Sequence, residues 1–285
     1  MLRKIFLLIS ATVFGTAIAT IETEVGAIRE GAYKYFYDSS VPNACESVIF
    51  LGVGTAMSVN DYNNIGTEIS TGKPIVTVIV DHNPRFFVKT SNRKFASYYN
   101  ALVPDLQSRI PACANTPNPK ILVAAHSASG QAAVKALPEL EPKPSGFIGL
   151  DPFRITEGKM KIDPSLPSLE WGFAKTTCSV KIDQAAKPAY SISSSDHRVF
   201  YRVDNVAQGI SHCVFTDKGC AIVCGLKKDG GWVIPAVAAS IHTFVDAIVN
   251  GEGNIDKSSF ESDVVKDGKV ELFVNGDDPN AKSEL

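Results

Sequence analysis

An apolar run that stops at a serine constrains the fold of this chain more than any other feature. Residues 121–125 are apolar and include β-branched types, and His126, Ser127 and Ala128 follow directly. The run predicts a buried strand, and the small residues after it predict a sharp turn into a helix. On such a strained turn a serine hydroxyl projects above the sheet, so Ser127 is the candidate nucleophile. An ordinary helix N-cap serine is the alternative interpretation.

Further apolar runs of strand length alternate along the chain with stretches of helical periodicity. The predicted strands are 47–54, 74–81, 146–151 and 199–203, and a short hairpin is predicted around 269–274. The predicted helices are 58–72, 93–110 with a kink at Pro104, 131–137 and 232–249. This alternation predicts an α/β fold with a mostly parallel sheet whose two faces are covered by helices. Residues 21–37 are expected to form a helix or strand that caps the domain. The proline-rich stretch 164–167, together with Trp171, is expected to be an irregular excursion outside the core layers.

Both ends of the chain predict a location in the secretory pathway. Residues 1–19 combine a cationic start, an apolar stretch and small residues at Ala17 and Ala19, which is typical of a cleaved signal peptide. The alternative is an uncleaved anchor, which is disfavoured because the apolar stretch is shorter than the roughly 20 residues that span a bilayer. No transmembrane segment is expected after cleavage. Residues 20–274 are then predicted to form one domain, and residues 275–285 a polar tail.

The last four residues resemble an endoplasmic-reticulum retention signal. They are Lys282, Ser283, Glu284 and Leu285, whereas the usual tetrapeptide has Asp at the second position. We therefore expect a retention receptor as a partner and the lumen of the endoplasmic reticulum as the location, with secretion as the alternative.

Cysteine usage and charge narrow the class of protein further. Six cysteines suit an oxidising compartment, and their pairing stays open. The spacing of Cys213, Cys220 and Cys224 matches no common zinc pattern, so no metal site is expected. The formal charge of −2, without a basic stripe, argues against a nucleic-acid partner.

A nucleophilic serine needs a histidine base, and the base needs a carboxylate to orient it. Polar residues that follow parallel strands are the candidates, because ligands bind at the carboxyl ends of such strands. His212 lies in a glycine-containing loop after the 199–203 run and is the candidate base. The other histidines are expected beside the sheet (His126), at the cleft edge (His82), before a strand (His197) and within a helix (His242).

Two carboxylates compete as the third member of the site. Asp151 ends the 146–151 run, and Asp183 closes the 176–182 segment, which could be a further strand. Asp204 is expected to cap a strand. The oxyanion formed during acyl transfer would be bound by the backbone N–H of Ala128, with a second N–H from Val53, Gly54 or Thr55.

Three segments together resemble the α/β-hydrolase superfamily, and within it the chlorophyllase-like and lipase-like serine esterases. They are 125–130 (AHSASG), 149–152 (GLDP) and 209–215 (GISHCVF). In those families the acid follows the strand after the nucleophile strand, so the resemblance favours Asp151 over Asp183. It implies a single α/β-hydrolase domain that cleaves carboxylic esters through Ser127, His212 and Asp151, without a metal or organic cofactor.

A small-molecule or lipid ester is the expected substrate, and the leaving group stays open. Phe86, Phe87 and Phe153, near the expected cleft mouth, suit an apolar acyl or alcohol group. Peptidase and thioesterase activities use the same constellation. The alternative from a different class is a catalytically inactive hydrolase-fold protein that acts as a binding or folding factor. Its motivation is the altered motif: Ala125 and Ser129 stand where the usual G-x-S-x-G motif has glycines, and the glycine is displaced to Gly130.

Overall fold

A nine-stranded sheet forms the centre of the α/β fold in the residues that the computed structural model describes: 19–82, 92–155, 160, 162–163, 165–175, 178, 185–193, 197–217, 230–249 and 255–280. The strands are β1 (Ile21–Ile28), β2 (Gly31–Asp38), β3 (Ser47–Gly52), β4 (Ile75–Val80), β5 (Lys120–His126), β6 (Gly146–Leu150), β7 (Ser168–Phe173), β8 (Arg198–Val203) and β9 (Val270–Val274). Their order is β1-β2-β4-β3-β5-β6-β7-β8-β9. The strands from β3 to β8 run parallel to one another, and antiparallel pairing is confined to the β1–β2 edge and to β9.

Helices cover both faces of this sheet. The α-helices are α1 (Asn63–Ser70), α2 (Asn92–Leu102), α3 (Leu106–Arg109), α4 (Ser129–Ala136), α5 (Ala186–Ile192), α6 (Val233–Val249), α7 (Lys257–Phe260) and α8 (Asp263–Lys266). Short 3-10 turns span Val59–Tyr62, Val103–Asp105, Pro111–Cys113, Leu137–Glu139 and His212–Phe215. None of the helices in the described ranges is long and apolar enough to cross a membrane.

Alternate residues of each central strand pack on opposite layers, as the period of two in a strand requires. On β3, Ile49 and Leu51 join the apolar layer of α1 and α6, whereas Val48 and Phe50 join the layer of α2 and α4. All four side chains are fully buried. Two apolar layers around a central sheet confirm the predicted α/β class with covered faces.

The helix predicted over 93–110 is interrupted at its proline, as expected. The helix α2 ends at Leu102, a 3-10 turn follows over Val103–Asp105, and α3 resumes at Leu106. Proline has no N–H to donate within a helix, and its ring collides with the preceding turn.

The segment expected as an N-terminal cap consists of the two strands β1 and β2, which pair antiparallel and extend the sheet beyond β4.

The prediction of an irregular excursion around Trp171 was wrong. This residue lies in β7, and all six residues of that strand are buried. The indole ring stacks on Tyr201 with 4.5 Å between ring centroids, and its Nε1–H donates to Ser240 Oγ at 2.9 Å. Glu170 interrupts the apolar pattern of the strand, which is why the sequence did not reveal it.

A disulfide joins the segment before β3 to the segment before β5. Cys45 and Cys113 are both fully buried and bonded across 68 residues, and Cys178 and Cys213 are disulfide-bonded as well. Every cysteine in the described part of the chain is therefore oxidised. Cys220 and Cys224 lie outside the described residues.

The first residues of the predicted polar tail lie against the sheet. The backbone N–H of Asn275 donates to the Arg198 carbonyl at 2.9 Å, and Arg202 Nη1 donates to the Pro279 carbonyl at 2.6 Å. Residues 275–280 therefore pack against the edge of the sheet. The tetrapeptide from Lys282 to Leu285 lies outside the described residues, as do residues 1–18 of the predicted signal peptide.

Candidate active site

Ser127 occupies a sharp turn between β5 and α4. Its φ is +55°, in the left-handed region that residues with a Cβ rarely adopt. The turn is held by three backbone hydrogen bonds. The Ser127 N–H donates to the Leu150 carbonyl at 3.3 Å, and the Ser127 carbonyl accepts from Gly130 at 2.9 Å and from Phe153 at 2.7 Å. This strained strand-to-helix geometry is the one predicted for a nucleophilic serine, and it differs from an ordinary N-cap, whose backbone is extended.

The departures of this turn from G-x-S-x-G have local explanations. A Cβ at Gly130 would lie 2.4 Å from Pro152 Cβ, so close packing of α4 requires glycine there. The single hydroxyl proton of Ser129 is shared between the carbonyl oxygens of Gly52 and His126, each 2.8 Å from Oγ. Ser129 thus connects the turn to the end of β3. The glycine that close packing requires is at position 130, one residue after the last glycine position of the usual motif.

His212 and Asp151 form a buried pair at the same edge of the sheet. Asp151 follows β6, and His212 begins a 3-10 turn in the loop after β8. The His212 Nδ1–H donates to Asp151 Oδ2 at 2.5 Å, and both side chains are almost completely buried. Asp151 has a φ of +44°, and its N–H donates to the Trp171 carbonyl at 2.7 Å. Aspartate tolerates the left-handed region better than most residues, so Asp151 can adopt this conformation directly after the last residue of β6.

This pairing leaves the other ring nitrogen of His212 without the proton. With Nδ1–H directed at a carboxylate, Nε2 carries the lone pair of the neutral imidazole. Nε2 makes no hydrogen bond to any described residue, so the structure does not join it directly to the Ser127 hydroxyl. His126, which directly precedes Ser127, stacks on the His212 ring with 4.8 Å between centroids.

The structure narrows the predicted oxyanion donors from four N–H groups to two. The N–H of Val53 donates to the Val80 carbonyl at 3.3 Å, and the N–H of Gly54 donates to the Tyr62 hydroxyl at 2.7 Å. Both are therefore unsuited to the predicted role, because they already have partners. No hydrogen bond between described residues uses the N–H of Ala128 or Thr55. Of the four predicted donors, these two are the ones without a partner among the described residues.

Two of the remaining histidines, His242 and His197, lie where they were expected. His242 lies on α6, where its Nε2 bonds the Ile69 carbonyl at 2.7 Å. His197 directly precedes β8, at the opposite edge of the sheet. His82 is fully buried at the end of β4 against the Phe95 ring, and burial lowers its pKa to about 3.

The other predicted acids do not enter the described site. Asp204 Oδ1 accepts from the Ala207 N–H at 3.1 Å and so caps the turn after β8, as expected. Asp183, the alternative acid, lies outside the described residues, as do Phe86 and Phe87. Phe153, the third aromatic residue predicted near the cleft, follows Asp151 closely and donates its N–H to the Ser127 carbonyl.

Two residues that support the site were not singled out from the sequence. Tyr62 bonds His126 Nδ1 through its hydroxyl at 2.7 Å, although its spacing with Ile65 and Ile69 indicated only a helix face. The Asp217 carboxylate accepts the N–H groups of Asn63 and Asn64 at the start of α1, at 2.6 and 2.9 Å. It thereby anchors the chain that follows His212. No local pattern marks an aspartate that caps a helix more than 150 residues away.

Within the described ranges, no group of three or more His, Cys, Asp or Glu side chains could hold a metal ion. Neither a protein-family model nor a curated protein matches the sequence. A functional assignment therefore depends on the geometry around Ser127, His212 and Asp151.

Proposed function

We propose that this protein is a serine hydrolase of the α/β-hydrolase type that cleaves carboxylic esters. The observation that carries the proposal is a serine on a left-handed strand-to-helix turn at the same sheet edge as a buried His212–Asp151 pair. An N-cap serine or a surface histidine would need neither the positive φ nor the buried carboxylate. The chain order Ser, Asp, His agrees with the resemblance of the three segments to the chlorophyllase-like and lipase-like esterases.

In the proposed reaction, Ser127 Oγ attacks the ester carbonyl carbon while its proton passes to His212 Nε2. Asp151 stabilises the resulting imidazolium, and the N–H groups of Ala128 and Thr55 bind the oxyanion. The carbon–oxygen bond to the alcohol then breaks, and the alcohol leaves with the proton from Nε2. Water attacks the acyl-serine with the same proton transfers in reverse order, which releases the acid and restores Ser127. No step requires a metal or an organic cofactor.

A fluorophosphonate probe tests the nucleophile. We expect it to label the wild-type protein, and we expect Ser127→Ala to abolish both labelling and ester hydrolysis. Alanine keeps the Cβ, so it introduces no new clash at the strained turn. Ser108→Ala is the matched control, because its exposed hydroxyl bonds only the Asp105 carbonyl. A folded wild-type protein that neither reacts with the probe nor hydrolyses a panel of small and lipid esters would contradict the proposal and favour the binding or folding factor.

We further propose that the protein resides in the lumen of the endoplasmic reticulum and is retained by a receptor for its last four residues. The disulfide between Cys45 and Cys113 supports an oxidising compartment. Deletion of residues 282–285 is expected to release the protein into the medium, as measured by immunoblotting of cells and medium. Ser283→Asp, which restores the usual tetrapeptide, is the matched control and should stay inside. Equal retention of the deleted and intact proteins would contradict this location signal.

A further inference from the structure

A continuous chain of buried hydrogen bonds connects the loop after β3 to the loop that carries His212. The Gly54 N–H donates to the Tyr62 hydroxyl at 2.7 Å, and that hydroxyl lies 2.7 Å from His126 Nδ1. On the other side of the same ring, His126 Nε2 lies 3.3 Å from the His212 carbonyl oxygen. Tyr62 and His126 are both buried, so water does not compete for these bonds.

Only one arrangement of protons satisfies every group in this chain. The Tyr62 oxygen accepts from Gly54 and has a single proton of its own, which it donates to His126 Nδ1. His126 must then carry its proton on Nε2, where it donates to the His212 carbonyl. The opposite tautomer would direct an Nε2 lone pair at a carbonyl oxygen and leave two acceptors facing each other. Burial and the neighbouring His212 both lower the pKa of His126, so the ring stays neutral.

The His126 ring is also packed against three parts of the site. It stacks on the His212 ring, with an angle of 29° between the planes. It also packs edge-to-face with the Phe215 ring, with 5.6 Å between ring centroids. A Cβ at Gly54 would lie 3.1 Å from both His126 Nδ1 and Ser127 Cβ. The ring thus fills the space between three segments: the loop after β3 that contains Thr55, the turn at Ser127 and the loop that carries His212.

We propose that His126 and Tyr62 are positioning residues, which hold the Thr55 loop and the His212 loop at a fixed separation on either side of Ser127. Their effect on catalysis rests on the proposed esterase function, whereas their effect on the geometry of His212 does not. Removing the Tyr62 hydroxyl leaves the Gly54 N–H and His126 Nδ1 without partners. The His126 ring then loses one of the two hydrogen bonds that fix its orientation, so its Nε2–H is held less firmly against the His212 carbonyl.

NMR of the full chain with nitrogen-15-labelled histidine tests the geometry without any substrate. We expect the His126 ring to be a single neutral tautomer with the proton on Nε2, and not to titrate between about pH 5 and 8. Tyr62→Phe should shift the Gly54 amide, the His126 ring nitrogens and the His212 ring nitrogens. Tyr99→Phe is the matched control, because this buried tyrosine donates to the Pro142 carbonyl away from the site. It should leave the three signals unchanged.

Two NMR results would overturn the proposal. One is a His126 ring that titrates like an ordinary histidine. The other is a set of His212 signals that Tyr62→Phe does not move.

Kinetics on a small ester test the consequence for catalysis. Tyr62→Phe and His126→Phe are expected to lower kcat by about 10- to 100-fold with KM unchanged, because misplacement of catalytic groups costs rate rather than binding. His126→Gln should recover part of the loss, since its amide offers an acceptor and a donor on one carbon. Equal losses in Tyr62→Phe and Tyr99→Phe would mean a general loss of packing and overturn the proposal. Failure of the wild-type protein to hydrolyse any ester would refute the esterase function, and the NMR comparison would still decide the positioning role.

Discussion

Replacement of Asp151 by Asn is expected to lower kcat for ester hydrolysis by about 1,000- to 10,000-fold. The physical reason is that the neutral amide no longer stabilises the imidazolium of His212 and no longer requires the Nδ1–H tautomer. Asparagine has the same shape as aspartate and also tolerates the left-handed region, so the φ of +44° at this position is retained. The loss should therefore appear in kcat while the thermal unfolding midpoint changes little. Steady-state kinetics beside thermal unfolding of the same preparation measures both.

Two matched variants make the Asp151 result specific. Asp204→Asn removes the charge from an aspartate eight positions before His212 in the sequence, but that carboxylate only caps a turn, so kcat should not change. Asp183→Asn tests the alternative acid. A larger loss of kcat in Asp183→Asn than in Asp151→Asn would show that Asp151 is not the acid of the site.

Replacement of Glu170 by Gln is expected to remove a pH-dependent loss of stability. Glu170 is fully buried on β7, and neither of its carboxylate oxygens has a hydrogen-bond partner among the described residues. The side chain fills the space above Gly149, where a Cβ would lie 1.8 Å from Oε2. Because burial penalises the charged form, it raises the pKa of this carboxyl well above its ordinary value of 4.5.

The sign of the pH effect follows from the direction of this shift. Below pH 4.5 both the folded and the unfolded chain hold the proton, so the folded state carries no penalty. Above that pH the unfolded chain releases the proton while the folded chain keeps it, and stability falls as pH rises towards the raised pKa. The slope is at most about 1.4 kcal/mol per pH unit for one group. A glutamine side chain cannot titrate, so the Glu170→Gln variant should lack this contribution.

Urea unfolding of both proteins at several values from about pH 5 to 8 measures the difference. We expect the free energy of unfolding of Glu170→Gln, relative to wild type, to increase steadily with pH. Glu46→Gln, at an exposed position before β3, is the matched control and should keep the wild-type slope. Parallel pH profiles for wild type and Glu170→Gln would mean that Glu170 is charged or paired in the folded protein.

Most of the central sheet could be predicted from the sequence because its strands are buried on both faces. A strand such as β5 must be apolar along its whole length, and that pattern is visible without any knowledge of its neighbours. The kink at Pro104 could also be predicted from the local sequence, because the ring of proline is incompatible with a continuous helix. The strand β7 escaped prediction because Glu170 breaks its apolar run, and only burial between β6 and β8 makes a strand of that segment.

The sequence by itself determined the class of the fold and the identity of the candidate residues, because apolar runs and the polar residues after them are properties of neighbouring positions. Tertiary structure alone decided which of those residues meet. It paired His212 with Asp151 across 61 positions, and it occupied the N–H groups of Val53 and Gly54. It also placed Tyr62 and His126 between the two loops of the site. Hydrogen bonds between distant segments form only when the sheet brings strand ends together, so no local pattern could have specified them.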